Sequence, residues 1–204
     1  IYITGGWDGS ADNTDSYYAK INQDGSLGAW TGTTDIPLAR SSASMFATNG
    51  FVYVVGGYDG STAQTTSYYA PVNADGALGS WSTTSTLPAG RAYAGSAQAN
   101  GYFYIVGGSS GTWNGTAQDD TYYAEVNADG TLGAWTATNL LPADRRMVTA
   151  GVSNGYIYAF GGSEGGGPSY HDDVYYAQLY DNGTVGSWST SSNLLGVDTG
   201  GAAA

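Results

Sequence analysis

Residues 51–60 read FVYVVGGYDG, an apolar, β-branched and aromatic run that stops at a glycine pair. Five such residues in a row suit a strand buried on both faces. The same signature occurs four times, ending at Gly5-Gly6, Gly56-Gly57, Gly107-Gly108 and Gly161-Gly162, with spacings of 51, 51 and 54 residues. A Tyr-Tyr-Ala triplet follows each pair, starting at Tyr17, Tyr68, Tyr122 and Tyr175, and a tryptophan comes next: Trp30, Trp81, Trp135 and Trp188. Several independent markers in one register establish a tandem repeat. The units run approximately over 1–50, 51–101, 102–155 and 156–204, within a single domain, 1–204.

Each unit reads as four short strands. Strand A follows an arginine, is rich in small residues, as in Arg91 to Ala99, and ends at Asn-Gly (Asn49-Gly50, Asn100-Gly101, Asn154-Gly155). That dipeptide predicts a two-residue hairpin, because both positions tolerate positive φ. Strand B is the apolar run, and strand C holds the tyrosine pair and closes at Asn-x-Asp-Gly, as in Asn73 to Gly76. Strand D carries the tryptophan and runs out into Leu-Pro or Ile-Pro, where proline ends the ladder. No stretch has a helical period, so the class is all-β.

Gly-Gly after an apolar strand, then tyrosine, then tryptophan at this spacing resembles the kelch motif over essentially the whole chain. The resemblance implies a β-propeller of four-stranded antiparallel blades, here four blade equivalents. Kelch propellers serve as docking modules, adaptors, oxidases, mutarotases and adhesins, so fold alone does not choose a function. The chain opens in strand B (Ile1-Tyr2-Ile3) and ends in a small-residue run, Gly200 to Ala204, aligned with strand A. Pairing of these two ends would close a blade. Three arrangements stay open: a closed four-blade ring, a piece of a longer chain (the preferred one), or halves pairing into a larger ring.

Composition narrows the partners. Seventeen acids against five Lys+Arg give a net charge of −12, which repels nucleic acid and anionic lipid. No apolar run is long enough for a membrane-spanning helix. Cysteine is absent, which removes disulfides, thiolate metal sites and a cysteine nucleophile. An acidic, lysine-poor, Tyr/Ser/Thr/Asn-rich surface points to an extracellular or cell-surface setting. Asn114 and Asn182 head two Asn-x-Thr acceptor sequences.

In such blades the B–C and D–A connections emerge on one face. The B–C loops vary: Trp7-Asp8, Tyr58-Asp59, Trp113-Asn114 and Tyr170-His171 each set an aromatic beside a carboxylate, an amide or the chain's one histidine. Variable loops on a rigid scaffold are where binding usually resides. Aromatic faces beside hydrogen-bonding groups suit glycans and peptides. Arg40, Arg91 and Arg145 share one repeat position ahead of strand A, on the same face. There they either form a cationic funnel for an anionic group or bond loop groups within the repeat.

The expected function is a non-catalytic recognition or adhesion module of an exported microbial surface protein, binding glycan or protein through the aromatic and acidic B–C loops. One alternative is a sialidase- or mutarotase-like enzyme using the arginines, and another is a structural unit that self-associates. Galactose-oxidase-like copper chemistry is excluded by one histidine and no cysteine. The C–D turn resembles the sialidase Asp-box, but with six residues from Asp75 to Trp81 rather than five. No cofactor is expected. Asp119-Asp120 and Asp172-Asp173 offer oxygen ligands for calcium, without the alternating spacing of a dedicated calcium loop.

Overall fold

A computed structural model describes residues 1–112, 114–165 and 169–196. It contains fifteen strands and no helix among those residues. The first sheet holds β1 (Tyr2–Thr4), β2 (Ser16–Tyr18) and β3 (Thr31–Gly32). The second holds β4 (Ser44–Thr48), β5 (Phe51–Val55), β6 (Ser67–Pro71) and β7 (Ser82–Thr84). The third holds β8 (Gly95–Ala99), β9 (Tyr102–Val106), β10 (Thr121–Glu125) and β11 (Thr136–Ala137). The fourth holds β12 (Thr149–Ser153), β13 (Tyr156–Phe160), β14 (Val174–Gln178) and β15 (Ser189–Thr190). Every pairing is antiparallel between sequence neighbours, so the sheets are propeller blades, three of them four-stranded and the first three-stranded among the described residues.

Local chemistry sets the register. At the A–B turns, Asn49, Asn100 and Asn154 have φ of 51°, 51° and 50°, and the following glycines are also positive, as a primed hairpin requires. The inner strands begin later than the sequence pattern suggests: β8 starts at Gly95, not Arg91. The delay comes from a left-handed residue ahead of each inner strand, Ser42, Tyr93 and Met147, with φ of 51° to 56°. Such φ values are strained for tyrosine and methionine. Hydrogen bonds hold them, because Tyr93 N–H donates to Ser42 O at 3.1 Å and Met147 N–H to Tyr93 O at 2.7 Å.

The core lies between blades. Phe46 of β4 stacks on Phe103 of β9 with ring centroids 4.0 Å apart, and Tyr53 meets Phe103 edge-on at 4.9 Å. Val148, Ala150 and Ile157 of the fourth blade pack likewise with Tyr104 and Val106 of the third. The register tryptophans tie neighbouring blades together: Nε1 of Trp81, Trp135 and Trp188 donates to the carbonyls of Thr34, Ser85 and Asn139 in the preceding blade. Only Trp135 is fully buried by this, at 7 % exposure. Trp81 and Trp188 are half-buried, and Trp30, with no described blade ahead of it, is 43 % exposed.

The first blade shows the same loss along its whole leading face. Ile1, Ile3, Tyr17 and Leu27 are 42–52 % exposed, whereas the equivalent Val52, Val54, Tyr68 and Leu78 are at most 4 % exposed. Among the described residues β1 pairs with β2 alone, and no hydrogen bond joins the first and fourth sheets. The expected closing strand, Gly200 to Ala204, lies outside the described residues. Truncating Trp135 to Ala should therefore lower unfolding stability in urea by about 3–5 kcal/mol. Trp30→Ala, on a face already in water, should change it by less than about 1 kcal/mol.

Candidate functional site

The glycine pairs explain how the loop face is assembled. The second glycine donates its N–H to the carbonyl of the arginine that opens the next blade: Gly6 to Arg40 at 2.6 Å, Gly57 to Arg91 and Gly108 to Arg145 at 2.7 Å. A Cβ on the first glycine would lie 2.3 to 2.5 Å from those carbonyl oxygens, which excludes any side chain there. Each B–C loop is thereby fastened to the head of the next inner strand.

A cleft of about 630 Å³ opens where the first two loops and the inner-strand heads meet. Trp7, Asp12, Tyr58 and Gly60 line it from the loops, and Ser41, Ser42 and Tyr93 from the strand heads. Trp7 is largely exposed, and Tyr58 is half-buried. Asp12 is the unusual member. Both of its carboxylate oxygens are shielded from solvent and accept no hydrogen bond from the described residues. Ala63 and Ala117 occupy its repeat position in the next two blades. Asp12, Ser42 and Tyr93 were not singled out from the sequence. Their signal was variation inside a strict repeat, with an acid at an alanine position and Ser, Tyr and Met at the left-handed one.

The expected loop carboxylates hold their own turns. Asp8 Oδ1 accepts from Ser10 N, Ser10 Oγ and Ala11 N at 2.8–2.9 Å, which keeps its carboxyl below the usual range. Asp59 Oδ1 accepts from Ser61 and Thr62 N–H at 2.9 and 2.8 Å, and its Oδ2 accepts from Gln64 Nε2 at 2.7 Å. Its carboxyl is lowered first by the Thr62 bond, then against partial burial by Ser61 and by the charge of Arg40. Trp113 lies outside the described residues. Asn114 is exposed, with Oδ1 accepting from Arg146 at 3.3 Å, and neither it nor Tyr170 lines the cleft.

The three repeat arginines are buried, each 2 % exposed. Arg91 Nη2 is paired with Asp120, and Arg145 Nη2 with Asp173, so these carboxylates hold arginines. Among the described residues no group of three or more metal-ligating side chains converges. Around Arg145 the pair extends to Glu164 Oε1 at 3.4 Å, and His171 sits between Glu164 and Asp173 at 3.4 and 3.7 Å. The Tyr175 hydroxyl donates to Asp173 at 2.7 Å; burial first, then that bond, pushes the phenol up to about 12. Burial would raise the Asp173 carboxyl, but the bonds from Tyr175 and Arg145 and the arginine charge outweigh it and lower it.

Two outcomes follow from these pairs. Asp120→Ala leaves the buried Arg91 charge unpaired and should lower unfolding stability by about 3 kcal/mol in urea titrations. Asp173, depressed in the folded chain, contributes its full stabilisation above the unfolded value of about 3.9 and loses it as pH falls through the folded value. The stability difference between the native chain and Asp173→Asn should therefore be largest at neutral pH and shrink below about pH 4. A difference that stays constant down to pH 2 would contradict the pairing.

Comparison with known proteins bears on the fold. No family model matches the chain. Beta-scruin of Limulus polyphemus is 25 % identical over 208 residues, covering 95 % of this chain and 21 % of the relative. The chain thus spans about a fifth of the length of that curated relative. Among solved structures, that of YjhT superposes with a TM-score of 0.75 at 16 % identity, covering 98 % of this chain and 70 % of that one. These likenesses fit the kelch-like repeat, and the fold is that of a β-propeller.

Proposed function

We propose that the chain is a non-catalytic recognition module of an exported surface protein, binding a glycan in the cleft between its first two B–C loops. The observation that carries this is the cleft itself, where the largely exposed Trp7 stands with Tyr58 and Tyr93 around the Asp12 side chain. A concave site lined mostly by aromatic faces with a few polar groups is the usual form of a ligand pocket. Sugars present hydroxyl donors and C–H faces together, which match a carboxylate framed by aromatic rings. Ser41 and Ser42 add further polar groups at the cleft wall. A peptide could use the same arrangement through its N–H groups, and is the protein-ligand form of this proposal. The acidic, lysine-poor composition supports an extracellular setting.

A glycan array probed with the native chain, Trp7→Ala and Asp12→Asn tests this. Selective binding should fall at least about tenfold in both variants, the scale of one hydrogen bond to a charged group. Thermal stability should be unchanged in Trp7→Ala and unchanged or slightly raised in Asp12→Asn, which removes an unpaired charge without changing shape. Binding that survives both substitutions would remove the cleft from consideration.

The outer faces of the end blades favour a second role, as a unit that assembles blade to blade. At each internal joint a threonine hydroxyl, Thr33, Thr84 or Thr138, accepts from the backbone N–H of Leu78, Leu132 or Val185, beside the tryptophan bond. On the fourth blade the equivalent Ser191 and Ser192, with Tyr158 and Tyr176, line an open depression. On the first blade Leu27 and Trp30 face outward. The two faces are the two halves of one joint. Sedimentation of the purified chain should show concentration-dependent association that Trp30→Ala weakens; a monomer at every concentration would sink this role.

A further inference from the structure

Directly after each glycine pair, Trp7, Tyr58, Ser109 and Ser163 form isolated antiparallel bridges with Asp12, Ala63, Ala117 and Tyr170. Residues paired across such a bridge project to the same side and stand next to each other. Among the described residues, the first blade alone sets an aromatic ring opposite an acid at this position, Trp7 with Asp12. Tyr58 is bridged a second time, to Ser41, through hydrogen bonds of 2.9 and 2.7 Å. That bridge fixes its backbone against the head of the second blade's inner strand. The acid–aromatic pair and the twice-bridged tyrosine meet in the cleft of about 630 Å³.

Charge sets what such a cleft accepts. Asp12 is the one acid or base among its described lining residues. Arg40 is not part of the lining, and its guanidinium lies over Tyr68 of its own blade at 5.8 Å. The Arg146 guanidinium lies 5.7 Å from the Tyr93 ring centroid, so Tyr93 already receives a cation, and Trp7 and Tyr58 are the rings left for a ligand. Aromatic faces beside a carboxylate, in a chain of net charge −12, attract cations. The Asp12 oxygens lie beneath the cleft surface, so their charge acts across the wall, where screening is weak, and not through a direct salt bridge. We propose that the glycan taken by this cleft is an amino sugar, whose protonated amine is held against Trp7 and Tyr58 with Asp12 behind it. This rests on the glycan-binding reading of the cleft and adds the charge of the ligand. Sugars bearing a carboxylate are disfavoured on the same ground, because no cationic side chain is among the described lining residues.

Calorimetric titration of the full chain tests this at about pH 6, where aliphatic amines are protonated. The probes are the glucosamine tetrasaccharide and its fully N-acetylated form, which keeps the backbone and removes the charge. The native chain should bind the charged form at least about tenfold tighter, the scale of one desolvated cation–π contact. In Asp12→Asn that preference should disappear, and Trp7→Ala should weaken both forms. Diffuse attraction to an acidic chain would survive the loss of one acid among 17, so a preference that persists in Asp12→Asn overturns the proposal. Equally tight binding of the N-acetylated form, lost in Trp7→Ala, also overturns it while leaving the glycan cleft in place. Failure of both forms to bind overturns it too, and the glycan array then decides separately whether the cleft takes any other sugar.

Discussion

The joint between blades turns on a backbone contact, the carbonyl of each repeat arginine resting on the glycine pair of the blade before it. The contact is close enough that no Cβ fits, and the N–H of the second glycine makes it a hydrogen bond. It fixes where each inner strand begins relative to the preceding blade. The interdigitated aromatic core of Phe46, Tyr53 and Phe103 follows from that spacing, as does the donation of each tryptophan to the preceding blade. Because the contact is made by main chain, the side chains around it are free to vary from blade to blade.

That freedom is where chemistry enters. The arginine side chain points into its own blade, where a tyrosine and, in two of three cases, a carboxylate receive it. The left-handed residue two positions later carries serine, tyrosine or methionine, and its backbone bonds chain the inner strands together. Between the first and second blades these variations coincide, with Asp12, Ser42 and Tyr93 meeting Trp7 and Tyr58 in one cleft. A regular scaffold thus acquires one irregular corner.

The loop tips were legible as a set but not as a site. Trp7 and Tyr58 do share the cleft, while Asp8 and Asp59 close their own turns, because a carboxylate two or three residues before free N–H groups is captured locally. His171 sits against Glu164 and Asp173 in the fourth blade. The aspartates recurring before the tyrosine pair, Asp120 and Asp173, read as paired acids in sequence. Their role as arginine partners needed the fold of strand C over the head of strand A.

The repeat, its four strands, the primed turns and the all-β class are local matters, set by φ tolerance, side-chain alternation and ladder chemistry within about fifty residues, and the sequence alone determined them. Which equivalent residues differ in environment is not local. Arg40 and Arg91 are the same letter in the same register, and only the packed structure separates a paired cation from an unpaired one, because the partner lies some thirty residues away on another strand. The same holds for Trp30 and Trp135, whose burial depends on whether another blade stands in front of them.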